Sequence, residues 1–225
     1  MELFYNVLRV LHVIAGASAL LSGPVAMLNQ NGKKLHRISG KIYFYAMLFI
    51  FVSAIVLAVH TGNMFLLMIG IFSLILVATG YRALYLKKLN KGQKPALIDW
   101  AILAAGFLCG ISLFTWGCNK TFLQHDNFGI TGLAFGFILL RGAKSDYKRF
   151  TKPSPDKNDW LYKHIGGMIG GYIATFTAFL VQNINGGFIV WLLPTFLFVP
   201  FIIYTIRKFK MKTAKNETLS LEVRK

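Results

Sequence analysis

Acidic residues are scarce in this chain: eight Asp and Glu stand against 25 Lys and Arg in 225 residues. Within the apolar runs Asp99 alone occurs, at the head of one of them. A proton-coupled transporter usually needs an intramembrane carboxylate, so this scarcity counts against one. Cysteine is rarer still. Cys109 and Cys118 fall on one expected helix, point differently and sit at different depths, which disfavours a disulfide between them. Without a CxxC, neither a redox dithiol nor a zinc site is indicated. The motifs GxSxG, GxxxxGK[ST] and HExxH are missing, and with them the chemistry they carry.

What is present is apolar. Hydrophobic residues make up 55% of the chain and charged residues 15%, against roughly a quarter charged in soluble proteins. Twenty Phe and 21 Gly fit a membrane bundle, because Gly lets spanning helices approach closely. The expected spans are Phe4 to Leu28, Ile42 to Val59, Met64 to Leu84, Trp100 to Trp116, Phe128 to Leu140, Ile165 to Val181 and Phe188 to Ile206. The fold class is all-α, an integral membrane helical bundle of about seven transmembrane helices over residues 1–211. A polar, disordered cytoplasmic tail is expected over 212–225. The first run lacks the positive flank of a cleaved signal and reads as a retained span.

The net charge of +17 raises nucleic acid as a partner, and its distribution argues for none. All but two of the 25 basic residues fall in alternate connections and the tail; the exceptions are Arg9 and Lys120. The positive-inside bias assigns that side to the cytoplasm. Seven spans then put the N-terminus outside and the C-terminus inside, in a bacterial plasma (inner) membrane. The basic start of the tail would be drawn to anionic lipid heads. Trp100, Trp116, Trp160 and Trp191 near the span ends read as an aromatic belt.

The histidines carry the chemistry. His125 is most simply a solvated loop residue. His12 and His60 lie toward the outer side, His36 and His164 toward the inner side. Imidazole is a standard axial ligand of heme iron, so two histidines per side are the minimum set for b-type heme. Arg9 shares a face with His12 and is placed to hold a heme propionate or another anion. His12, Gly16, Ala19 and Gly23 share one helix face. On the inner side His36, Gly40, Tyr43 and Met47 line one face of span two, beside Arg37. His164, Met168 and Tyr172 line span six. Such a set suits heme, a quinone head group or a copper ion by ligand type. The plainer reading is that Gly132, Gly136, Gly167 and Gly171 are helix-packing surfaces, and that histidines at span ends touch lipid heads.

The pattern His36-Arg37-x-x-Gly40-x-x-Tyr43, followed later by His164-x-x-x-Met168-x-x-x-Tyr172, resembles a bacterial family of multi-pass membrane proteins classed as a domain of unknown function. The resemblance runs from His12 to about Thr177, with Lys41 where the family has Arg. It implies no activity, but it does imply a recurring pair of His36 and His164. A looser similarity is to transmembrane b-type diheme cytochromes, which pair histidines across a bundle on each side. Here His36 and His60 are 24 residues apart, about 36 Å of helix against a hydrocarbon core of about 30 Å. One heme b, or none, fits that geometry better than two. The expected function is heme-associated or quinone-linked electron transfer through paired histidines, with a quinone or another membrane redox subunit as partner. The alternative is a small-molecule permease or an accessory subunit.

Overall fold

The computed structural model describes residues 1–29 and 34–222, with side chains through Met211 and at Thr213. Lys33, Arg224 and Lys225, and the side chains of Lys212 and Lys215, lie outside the described residues. Among the described residues the chain is mostly helical, without strands. Seven long helices follow in order: α1 (Glu2–Leu28), α2 (Lys34–Thr61), α3 (Met64–Arg82), α4 (Leu97–Cys118), α5 (Gly129–Thr151), α6 (Asp159–Asn183) and α7 (Gly187–Glu222).

Six of them, all but α5, are long and apolar enough to cross a membrane. α5 is the shortest expected span, and the structure extends it by about three turns. Only Gly129 to Leu140 is apolar; the helix then continues through Arg141, Lys144, Asp146, Lys148 and Arg149 to Thr151. The stretch between the expected fifth and sixth spans is therefore helix as far as Thr151, and the connection to α6 is 152–158. Likewise α7 carries the helix into the polar segment as far as Glu222, where disorder was expected. A long helix started by apolar residues continues at little cost through Lys, Thr and Ala, none of which breaks it.

The helices form two rings with one shared edge. α1, α2, α3 and α6 touch in sequence and α1 closes on α6. α3, α4, α5, α7 and α6 touch in sequence and close the second ring. The shared edge, α3 against α6, is made by glycine. A Cβ on Gly167 would fall 2.5 Å from the Cα of Gly80, and one on Gly80 would fall 2.7 Å from the backbone nitrogen of Met168. The packing reading of Gly132, Gly136, Gly167 and Gly171 holds: each closely faces a neighbouring helix. In a bilayer close backbone approach gains dispersion contacts without a hydrophobic driving force.

Each ring has its own core. Ala19, Tyr43, Met47, Val77 and Tyr172 fill the first. Phe65, Phe72, Leu113, Phe135 and Leu139 are among those filling the second. Trp116 and Trp191 belong to the second core: both pack on Phe65, with ring centroids 4.7 and 5.1 Å away. They are not a lipid-facing belt, because the sequence locates a residue along a span but not around it. The outer surface is apolar, with Leu21, Val13, Phe196 and Leu197 largely exposed. In water such a surface would be a liability; in lipid it is the expected exterior.

Candidate functional site

The ends of α1, α3, α5 and α7 and the starts of α2, α4 and α6 lie at one end of the bundle, which also carries the basic connections. At this basic end the first ring brings His36 of α2 and His164 of α6 together. Their ring centroids are 6.4 Å apart and their planes cross at 74°. Nδ1 of His36 lies 2.8 Å from the carbonyl of Ala26 on α1. Nδ1 of His164 lies 2.9 Å from the carbonyl of Gly80 on α3. A carbonyl only accepts, so each Nδ1 carries the proton and donates it. In the neutral form of such a ring, Nε2 keeps its lone pair. A ligand histidine is commonly oriented in this way, with its other nitrogen donating to a carbonyl or carboxylate.

One to three turns further in, Tyr43, Met47 and Tyr172 are buried, with Met168 packed against them. Thr175 donates to the sulfur of Met47 at 3.0 Å and to the carbonyl of Gly171 at 3.0 Å. The hydroxyl of Tyr43 is buried without a partner. The expected gathering of His36, Tyr43, Met47, His164, Met168 and Tyr172 between α2 and α6 is therefore present as geometry. Arg37 is exposed and lies outside the cluster.

The other end is arranged differently. His12 of α1 lies 2.8 Å from Ser53 Oγ of α2. Ser53 Oγ also lies 2.8 Å from the carbonyl of Phe49; with its proton on that carbonyl it accepts from His12 Nδ1. His60 stacks on Tyr5, with ring centroids 3.5 Å apart. Tyr5 and His12 are two turns apart on α1, as Ser53 and His60 are on α2. The two histidines thus sit at different levels of one seam, about 10 Å apart along it, and no described contact joins them. Arg9 is exposed and makes no ion pair among the described residues. His125 takes a left-handed turn conformation, φ 52°.

Sequence reasoning missed a buried ionic cluster at the basic end of the second ring. Asp99 accepts from Arg82 Nε at 2.7 Å, Arg82 Nη2 at 3.0 Å and the Ala96 backbone N–H at 2.8 Å. Asp146 of α5 accepts from Lys163 at 2.7 Å and pairs with Arg149 at 3.5 Å, while Arg149 Nε reaches Asp159 at 2.6 Å. Asp146 is only 4% exposed, so Asp99 is not the one carboxylate buried among the helices. The signal was available: Asp146 and Arg149 are one turn apart in a segment whose period continues that of α5. Three positive and three negative side chains neutralise one another here, which suits a tie between helices better than a proton path.

Among the described residues no group of three or more His, Cys, Asp or Glu is placed to hold a metal ion. Both cysteines are free, Cys109 buried and Cys118 half-buried.

These features define a helical, multi-pass membrane protein with a histidine pair in one ring and an ionic cluster in the other. The chain belongs to the family described as "Predicted membrane protein (DUF2306)", whose model matches residues 9–138. The match takes in His12, His36 and His60 and ends before His164. No curated protein and no solved structure matches the chain.

Proposed function

We propose that the protein is a seven-crossing membrane protein of electron transfer, with its basic end in the cytoplasm and its N-terminus outside, in which His36 and His164 hold the iron of one b-type heme. One observation carries the reading: the 6.4 Å between the two rings. With a metal–nitrogen bond of about 2.0–2.1 Å, each imidazole centre lies about 3 Å from the metal. A separation of about 6 Å, centre to centre, would let both imidazoles hold one metal.

The donor set favours porphyrin iron over a bare ion. A protein site for a bare ion normally supplies three or four ligands, and here there are two. A porphyrin supplies the other four itself. His36 and His164 are already fixed with Nδ1 donating and Nε2 bare. Gly40, one turn from His36, has nothing within 4 Å of where a Cβ would sit, so the helix surface beside that histidine is open. Neither histidine lines one of the described cavities. When bound, the group would supply reversible one-electron chemistry; a quinone or another membrane subunit would exchange the electron. The four Lys and Arg around His36 and the cluster near α5 keep that end at the cytoplasmic face.

The test is a visible spectrum of the protein purified in mild detergent from heme-replete cells, oxidised and reduced. A Soret band that disappears in both His36→Ala and His164→Ala is expected. No band, or a band unaffected by either change, rejects the assignment.

A second reading, a small-molecule permease or accessory subunit, draws on the buried carboxylates Asp99 and Asp146, since ionisable groups among spans often mark a solute path. It gives no pigment, and liposome flux that falls in His12→Ala.

A further inference from the structure

A partly open cavity of about 160 Å³ lies in the second ring between α3, α5, α6 and α7. Phe72, Phe135 and Trp191 give it aromatic walls, and Gly170 opens its α6 side. Thr177 and Thr195 are the hydroxyl-bearing residues of its lining. It is separate from the histidine pair. Gly166, Gly170, Ile173 and Thr177 share one face of α6, and at 100° per residue His164 projects roughly opposite.

Thr177 is the informative residue. Most serines and threonines within these helices return their proton to a backbone carbonyl one turn earlier, as Ser22, Ser53, Ser73, Thr115 and Thr175 do. Thr177 does not. It is 3% exposed, and its hydroxyl has no partner. A buried hydroxyl left unpaired is costly, and here the protein could have avoided that cost by turning it back on its own helix. Water is a poor occupant. Buried water typically makes about three hydrogen bonds, and these walls are aliphatic and aromatic apart from two threonines. A dry cavity of about 150 Å³ takes one benzene ring.

We propose that this cavity is a binding site for a small single-ring molecule, aromatic or quinoid, bearing one oxygen that hydrogen-bonds Thr177. The flat ring lies among Phe72, Phe135 and Trp191, and the oxygen would pair the buried Thr177 hydroxyl, which has no partner. The site does not require the heme assignment.

The test is ¹⁹F NMR on the whole chain in detergent with 4-fluorophenol and with its near-isostere 4-fluorotoluene, which lacks the oxygen. Both ligands are expected to show a bound resonance. Thr177→Val keeps the side-chain shape and removes the hydroxyl. It should weaken 4-fluorophenol about tenfold, the worth of one ordinary hydrogen bond, and leave 4-fluorotoluene unchanged. Gly170→Leu fills the space and should abolish both. Should that variant fail to fold, Gly170→Ala serves, because its Cβ meets Leu76 at an ordinary 3.6 Å; it should weaken both ligands. His36→Ala should leave all of these results unaltered, whatever the spectrum shows. Absence of a bound resonance, equal affinity in Thr177→Val, or full binding in the Gly170 variants would overturn the proposal.

Discussion

Gly80 and Gly167 lock α3 to α6: a Cβ on Gly167 would lie 2.5 Å from the Cα of Gly80. This contact is the hinge of the architecture. It is the edge shared by both rings, and it leaves the Gly80 carbonyl within 2.9 Å of His164. The residue that lets the helices meet also orients one of the paired histidines.

Gly167→Leu should therefore cost about 1–3 kcal/mol by overpacking, read as a lowered midpoint of thermal unfolding in detergent. Gly166→Ala, one residue away with nothing within 4 Å, should cost nothing measurable. Equal losses in the two variants would mean that α3 and α6 do not meet at this point.

The Arg82–Asp99 pair predicts a double-mutant cycle. Arg82→Ala strands a carboxylate whose side chain is 1% exposed, and breaking a buried pair in this way costs about 3–5 kcal/mol. Arg82→Ala with Asp99→Ala together should cost less than Arg82→Ala alone. Simple additivity of the two losses would show that the pair is not coupled.

Crossing topology is open to cysteine labelling. In a background without Cys109 and Cys118, His125→Cys should react with an impermeant maleimide on intact cells. Lys152→Cys should react only after the membrane is opened. The reverse pattern would place the basic end outside.

The His12–Ser53 bond should be modest. Interhelical hydrogen bonds in membranes average about 0.6 kcal/mol, so Ser53→Ala should lower stability by about that amount in a detergent unfolding titration. It should leave any heme spectrum unchanged. A spectral shift would tie the His12 level to the cofactor.

Much of this was legible in the residues. The apolar runs located six of the crossing-length helices, and the glycine spacing marked the packing faces. The pairing of His36 with His164 followed from assigning each to the same end. α5 was legible only in part, because its apolar half stops at Leu140 and its charged half resembles a loop until Asp146, Arg149 and Lys163 are seen to neutralise one another. Trp116 and Trp191 misled for a related reason: a position near a span end does not say which way the ring turns.

The sequence by itself determined the solvent and which end of the bundle carries the basic connections. Long apolar stretches cannot be satisfied in water, and basic connections sort to one end, since both properties add up residue by residue along the chain. Only the tertiary structure decided what faces what. Which helices share an edge, which histidines meet and which threonines are left unpaired depend on contacts between residues far apart in the chain. Such contacts are fixed by side-chain shape once glycine has let α3 and α6 come together.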